Sequence, residues 1–152
     1  SINKNSAFEE MESCMDKKFK VIDFQELGDP RGHLVVAESN KEVPFLIQRI
    51  FYIYGTKDGV VRGQHANRES EFMLINLQGS VKIVIDDGRQ KDTVILNKAH
   101  QGVYLDKMVW KDMCEFSSDS ILLVLSSMSY DASEYIRDYD EFVREVNDGK
   151  LD

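Results

Sequence analysis

The sequence predicts an all-β fold, a sandwich or barrel of short strands with one short C-terminal helix. Two patterns and the chain length point there. Runs rich in β-branched and aromatic residues recur from Phe19 to Leu125, separated by turn residues. The three-to-four residue spacing of a helix face enters late, at Ile136, Tyr139, Phe142, Val143 and Val146. The chain has 152 residues, 42% of them apolar, which suits one domain with a real core.

Each element follows from local chemistry. Residues 1–18 are polar and are read as a flexible extension, frayed or briefly helical about Phe8–Met15. Met11 or Met15 is then an alternative native start. Phe19–Phe24 alternates as a strand should. Gly28-Asp-Pro-Arg-Gly32 is a turn, since Pro fixes φ and Gly tolerates positive φ. His33–Glu38 is a second strand, and Phe45–Tyr54 a third, entered after Pro44. Gly55–Gly59 turns the chain, and the polar stretch Val61–Glu71 is expected at the rim of the β structure. Phe72–Leu77 and Ser80–Ile85 suggest a hairpin about Gln78-Gly79. Asp86-Asp-Gly88 is a strong turn signal before a strand at Lys91–Leu96. Gly102–Leu105 and Val109–Phe116 follow, then the fully apolar Ser120–Leu125, expected mid-core. Tyr135–Val146 is the helix, and residues 147–152 form a tail. One domain over residues 19–146 results.

Charge and cysteine usage narrow the function. There are 27 acidic and 19 basic residues, a net charge of −8. Non-specific nucleic-acid binding needs a basic footprint, so it is not expected. An anionic ligand stays open, because a local cluster of arginines can oppose the overall sign. Cys14 and Cys114 form no CxxC pair, which fits a reducing cytoplasm. No run approaches the ~18 apolar residues of a membrane-spanning helix. Glycine-rich phosphate loops and HExxH are absent.

Three histidines occur, His33, His65 and His100. His65 sits in Arg62-Gly-Gln-His-Ala-Asn-Arg-Glu-Ser-Glu71, where rim segments tend to carry function. The segment resembles the first cupin motif through Gly63, His65, Asn67, Glu71 and Gly79. The second histidine of that motif is Asn67 here, and Gly102–Met113 holds none. Transition-metal sites take roughly three or four His, Cys or carboxylate ligands, so no metal is expected.

Longer stretches are more specific. Val43–Tyr54, Arg62–Ala66, Gly79–Lys82, Gly102–Leu105, Val109-Trp110, Ile121–Leu125 and Tyr130–Phe142 together resemble the dTDP-sugar 3,4-ketoisomerases, which contain a WxcM-like domain. The resemblance spans about Phe19 to Val146. It implies a cupin-type jelly-roll barrel, a homodimer, no cofactor, and a dTDP-linked keto-deoxysugar as substrate. The implied reaction moves the carbonyl of dTDP-4-keto-6-deoxyglucose from C4 to C3 through an enediol or enediolate, on the way to bacterial surface sugars. A related epimerase and a non-catalytic sugar-nucleotide-binding module are the alternatives. A neutral His suits the proton transfer, and Arg or Lys suits the phosphates.

The candidate catalytic residues are therefore His65 and Asn67. Arg31, Arg49, Arg62, Lys82, Tyr104, Trp110 and Lys111 are the substrate-binding candidates. Asn67 replaces the family's second histidine and cannot act as a base, though its amide can donate and accept hydrogen bonds. Phe72 stands where a Gln is usual, and Lys111 where relatives carry His or Arg. Arg31 alone reads as an exposed turn residue, Lys82 as a solvated strand residue, and Tyr104 and Trp110 as core aromatics.

Overall fold

A computed structural model of the protein describes residues 17–149. The expectations for residues 1–16 and for the last three residues lie outside that range. The described chain forms β1 (Phe19–Asp23), β2 (Glu26–Asp29), β3 (Gly32–Val35), β4 (Arg49–Tyr54), β5 (Arg62–Asn67) and β6 (Phe72–Gln78). It continues with β7 (Val81–Asp86), β8 (Lys91–Leu96), β9 (Gln101–Leu105), β10 (Trp110–Cys114) and β11 (Ile121–Ser126). A 3₁₀ turn at Ala132–Glu134, the short β12 (Tyr135–Ile136) and the helix α1 (Tyr139–Asp148) complete it.

Two five-stranded sheets face each other, ordered β1-β9-β6-β11-β4 and β12-β5-β10-β7-β8, with β2-β3 as a separate hairpin. Every pairing between strands is antiparallel. This is the jelly-roll arrangement that the sequence predicts. The inner faces meet through Phe72, Leu74, Val103, Leu105, Leu122 and Val124 from one sheet. Val81, Ile83, Ile85, Leu96 and Met113 answer from the other. The outer face of the first sheet is also buried over β6 and β11, where Phe24, Val43 and Phe45 pack on Met73, Ile75 and Leu125. Strands covered on both sides lose the in–out alternation, which explains the continuous apolar run in β11.

Several local expectations are corrected by non-local pairing. Phe72–Leu77 and Ser80–Ile85 do not form a hairpin: β6 pairs with β9 and β11, whereas β7 pairs with β8 and β10. Gly79, at φ +71°, carries the chain from one sheet to the other. Residues 45–48 precede β4 rather than belonging to it. The segment read as a polar rim is itself a strand, β5, hydrogen-bonded between β10 and β12. The mid-core expectation for β11 holds: Leu122 and Val124 are buried between the sheets and Leu125 is buried in the outer cluster.

The helix also starts later than its apolar spacing suggests. Tyr135 and Ile136 pair with Asn67 and Ala66 of β5. Asp138 then caps α1 by accepting a hydrogen bond from the Glu141 backbone N–H, as an N-cap carboxylate does. The Asp138-Tyr-Asp-Glu141 spacing was a legible start signal. α1 packs on the outer face of the second sheet through Phe142, which is fully buried against Ala66, Ile136 and Trp110. Phe142→Ala is expected to cost ~3–5 kcal/mol, the range for emptying a buried aromatic site. Chemical denaturation measured against the parent chain checks this.

Candidate active site

β5 is not a regular strand. His65 lies opposite Lys111, and Gly63 opposite Asp112, so Gln64 is an extra residue. Gly63 and Gln64 have φ values of +85° and +55°. This is a β-bulge, and glycine is required at its first position. A Cβ on Gly63 would sit 2.8 Å from the Lys111 carbonyl oxygen, on a backbone that L-residues rarely adopt. In a regular strand, residues three apart face opposite sides. The bulge brings Arg62 and His65 to the same side, and both line a cavity of about 160 Å³ between the sheets.

Phe51, Ile53, Phe72, Leu74, Met113 and Val124 make most of that cavity apolar, and Lys111 and Tyr135 join Arg62 and His65 as its polar groups. His65 Nδ1 is 2.9 Å from the Gly63 carbonyl oxygen. A carbonyl only accepts, so Nδ1 carries the proton and Nε2 is left as the acceptor. The Tyr135 ring packs 4.9 Å from the imidazole, centroid to centroid. Burial, then the nearby Lys111 charge, lowers the His65 pKa to about 4. The ring is therefore neutral at neutral pH.

Lys111 is buried directly across from it. Its Nζ donates to Asn67 Oδ1 at 2.9 Å and lies 4.4 Å from the Phe72 ring centroid. The Asn67 amide in turn donates to both Glu134 carboxylate oxygens, at 2.8 and 3.3 Å. Ser70 supplies two more donors to Glu134, its backbone N–H at 3.2 Å and its hydroxyl at 3.1 Å. Burial pulls the Lys111 pKa down to about 7, against the opposing pull of Glu134. Arg68 fixes the turn that carries Glu134: its guanidinium holds Glu145 of α1 with two 2.9 Å bonds and donates to the Ser133 carbonyl.

Arg49 shares the inward face of β4 with Phe51 and Ile53. It donates to the Tyr135 hydroxyl at 3.3 Å and lies against the Phe51 and Tyr130 rings. Its buried Nε has no hydrogen-bond partner among the described residues. Arg137 stacks 4.9 Å over Tyr135. Four cationic side chains thus surround or border one cavity in a chain of net charge −8.

The structure brings together His65, Asn67, Arg62, Lys111 and Arg49. It places the other four candidates elsewhere. Arg31 is at the exposed tip of the β2–β3 hairpin, bound to Asp29. Lys82 is at an outward-facing position of β7 and pairs with Glu115 at 3.6 Å. Tyr104 is on the outer face of its sheet, where its hydroxyl donates to Glu71, and burial with that bond raises its pKa. Trp110 packs outward against Tyr139 and Phe142 of α1. For Lys82, Tyr104 and Trp110 the reason is strand alternation: each neighbours an inward residue, so it points out. Sequence reasoning missed Glu134, Ser70 and Tyr135. The signal available was an acidic residue immediately before an apolar pair, which is a poor place for an unpaired charge. Among the described residues, no three His, Cys, Asp or Glu side chains come together as metal ligands would.

The profile described as "FdtA: WxcM-like, C-terminal" matches residues 17–147. The chain belongs to this family. It is 42% identical over 127 residues to the TDP-4-oxo-6-deoxy-alpha-D-glucose-3,4-oxoisomerase of Aneurinibacillus thermoaerophilus, covering 84% of this chain and 91% of the relative. A 3,4-ketoisomerase from Helicobacter canadensis superposes with a TM-score of 0.83 at 47% identity, covering 85% of this chain and 97% of that one. QdtA, a sugar 3,4-ketoisomerase from Thermoanaerobacterium thermosaccharolyticum solved with TDP, gives 0.85 at 34% identity, covering 89% and 98%. The sugar epimerase NovW of Streptomyces spheroides, at 20% identity over 78% of this chain and 68% of that one and a TM-score of 0.68, shares the fold.

In this WxcM-like chain, the buried imidazole makes stability depend on pH. The folded pKa of His65, about 4, lies below its unfolded value near 6.5. As pH falls from 6.5 towards 4, the unfolded state takes up a proton that the folded state refuses, so stability is lost. The contribution is about 3 kcal/mol. Denaturation midpoints of His65→Asn, compared with the parent between pH 4 and 7, should show a correspondingly shallower acid loss.

Proposed function

We propose that the chain moves the keto group of a TDP-linked 4-keto-6-deoxy sugar from C4 to C3. The observation that carries this reading is the pair His65 and Lys111. A neutral imidazole with a free Nε2 and a lysine amine face one cavity from adjacent strands. Proton abstraction beside a ketone needs those two groups, a base for carbon and a donor for oxygen. The relatives' names supply the substrate class.

The steps balance without an outside reagent. His65 Nε2 takes the proton on C3, and the C–H electron pair forms the C3=C4 bond. The C4 oxygen takes the displaced pair and a proton from the Lys111 ammonium, giving an enediol. The amine then takes the proton from the C3 hydroxyl. As the C3 carbonyl forms, C4 receives the proton held by His65, and both residues return to their starting state. Asn67 works as the carrier of Lys111, not as a second base. The arginines supply charge for the diphosphate: Arg62 at the cavity wall, and Arg49 beside Tyr135. Arg31, Lys82, Tyr104 and Trp110 have no part in this cavity. The reading needs no metal or other cofactor.

We also propose a homodimer, in a reducing cytoplasm. β4 is an edge strand whose outer face carries Ile50, Tyr52 and Tyr54, each at least 60% exposed. A second copy of the same face would cover this apolar row, as an isologous pair does. Tyr52→Glu should shift the sedimentation mass from two chains to one. A parent chain that sediments as a monomer at micromolar concentration would overturn the assignment.

Among the described residues, no helix is long and apolar enough to cross a membrane. The reaction is tested by incubating the protein with TDP-4-keto-6-deoxyglucose in deuterated water. A 3-keto product carrying deuterium at C4, the carbon that receives the proton, is expected. An epimerised 4-keto product, or no product, would overturn the reading. His65→Asn should lower kcat by ~10²–10⁴-fold with TDP binding retained, the usual contribution of a general base. Arg62→Ala should instead raise KM more than it lowers kcat.

A further inference from the structure

We propose that Glu134 is a positioning residue for the reaction: through the Asn67 amide it holds the Lys111 amine at the cavity wall as an ammonium ion. The inference rests on the oxygen-proton role given to Lys111 above. Glu134 itself is buried and is not part of the cavity lining.

Three observations carry it. First, the contacts form one directed chain, Lys111 Nζ to Asn67 Oδ1 and Asn67 Nδ2 to the Glu134 carboxylate, at 2.9 and 2.8 Å. A carboxylate accepts from the amide nitrogen and thereby fixes which Asn67 atom faces the lysine: the oxygen. An ammonium ion approached by the opposite end, the NH₂, would meet donors with nothing to accept its own, and would be repelled. Second, the carboxylate is held against rotation. It accepts from Asn67, from the Ser70 N–H and from the Ser70 hydroxyl, and its turn is pinned by Arg68. Third, an ammonium ion has three donors. One bonds Asn67 and the Phe72 ring faces the cation, so donor capacity remains for a ligand in the cavity that Lys111 lines.

The charges around Lys111 explain why a carboxylate is needed. β5 presents His65 and Asn67, β6 presents the Phe72 ring, and the segment before α1 presents Glu134 and Tyr135. Arg137, beyond Tyr135, acts on His65. Among these neighbours Glu134 alone brings a negative charge that favours the ammonium, against full burial that disfavours it. Without that negative charge Lys111 would be largely neutral at pH 7, with no proton to give to the substrate oxygen.

The test is Glu134→Gln, which keeps the shape and an acceptor oxygen but removes the charge. The lysine titration is read directly by NMR with ¹³C-labelled lysine, the Lys111 signal being assigned by its loss in Lys111→Arg. In Glu134→Gln the Lys111 midpoint should fall by about one pH unit or more, a tenfold change in the ammonium-to-amine ratio. The alkaline limb of kcat should move to lower pH by the same amount, with KM nearly constant. Glu134→Asp, which restores the charge, should recover most of both. A Lys111 midpoint unchanged in folded Glu134→Gln overturns the inference, as does a kcat limb that stays in place. If Glu134→Gln does not fold, Glu134→Gln/Asn67→Asp returns one negative charge next to the amine. A Lys111 midpoint at or above the parent value is then expected, and a midpoint below it overturns the inference. The NMR reading needs no substrate. A parent chain without turnover therefore defeats the proposed reaction separately, while the titration still decides whether Glu134 holds the ammonium.

Discussion

The site depends on a cation buried between two sheets. Taking a lysine ammonium out of water costs several kcal/mol, and a cavity lined by phenylalanine and leucine returns little of it. What offsets the cost is reached indirectly, through one amide and one carboxylate that lie 67 positions apart in the sequence. Asn67 closes β5, and Glu134 ends the 3₁₀ turn beyond β11. The pairing of β12 with β5 and the clamp of Arg68 on α1 can be understood as what keeps that carboxylate in place. The C-terminal helix, far in sequence from His65, thus braces the turn behind the active site without lining the cavity.

Much of the architecture was legible because local chemistry and final structure agree. The Asp86-Asp-Gly88 turn does join β7 to β8. Asp86 accepts from the Gly88 N–H, and Asp87 accepts from those of Arg89 and Gln90. Apart from β2 and β5, the strands from Phe19 to Leu125 follow runs that carry β-branched or aromatic residues. Legibility failed where distant partners decide. Nothing between Phe72 and Ile85 says that the two strands belong to different sheets. That is decided by β9, β11, β8 and β10, none of which is a sequence neighbour of the turn. Tyr135-Ile136 reads as a helix start because helix spacing and a two-residue strand look alike over so short a span.

The site was harder to read for a physical reason. β5 has the composition of a loop, since its inward side chains are polar and serve the cavity instead of a core. Polarity that breaks a strand's expected pattern is a mark of function, and here it hid the strand itself. His65, Arg62 and Lys111, named on residue chemistry and family resemblance, all line the cavity. That Tyr104 and Trp110 point away from the cavity was not legible, because aromatic identity says nothing about which face of a strand a residue occupies. Glu134 was passed over because its partner amide lies 67 positions away.

The extra residue in β5 has a consequence for how this site can change over generations. Gln64 sets the parity of the strand: with it, Arg62 and His65 share a face, and the Gly63 carbonyl also fixes the imidazole tautomer. Losing a single codon there would turn one of the two residues outward while leaving every neighbouring letter intact. Point substitutions can tune the cavity one group at a time. A length change in this strand cannot, because it separates the arginine from the base in one step.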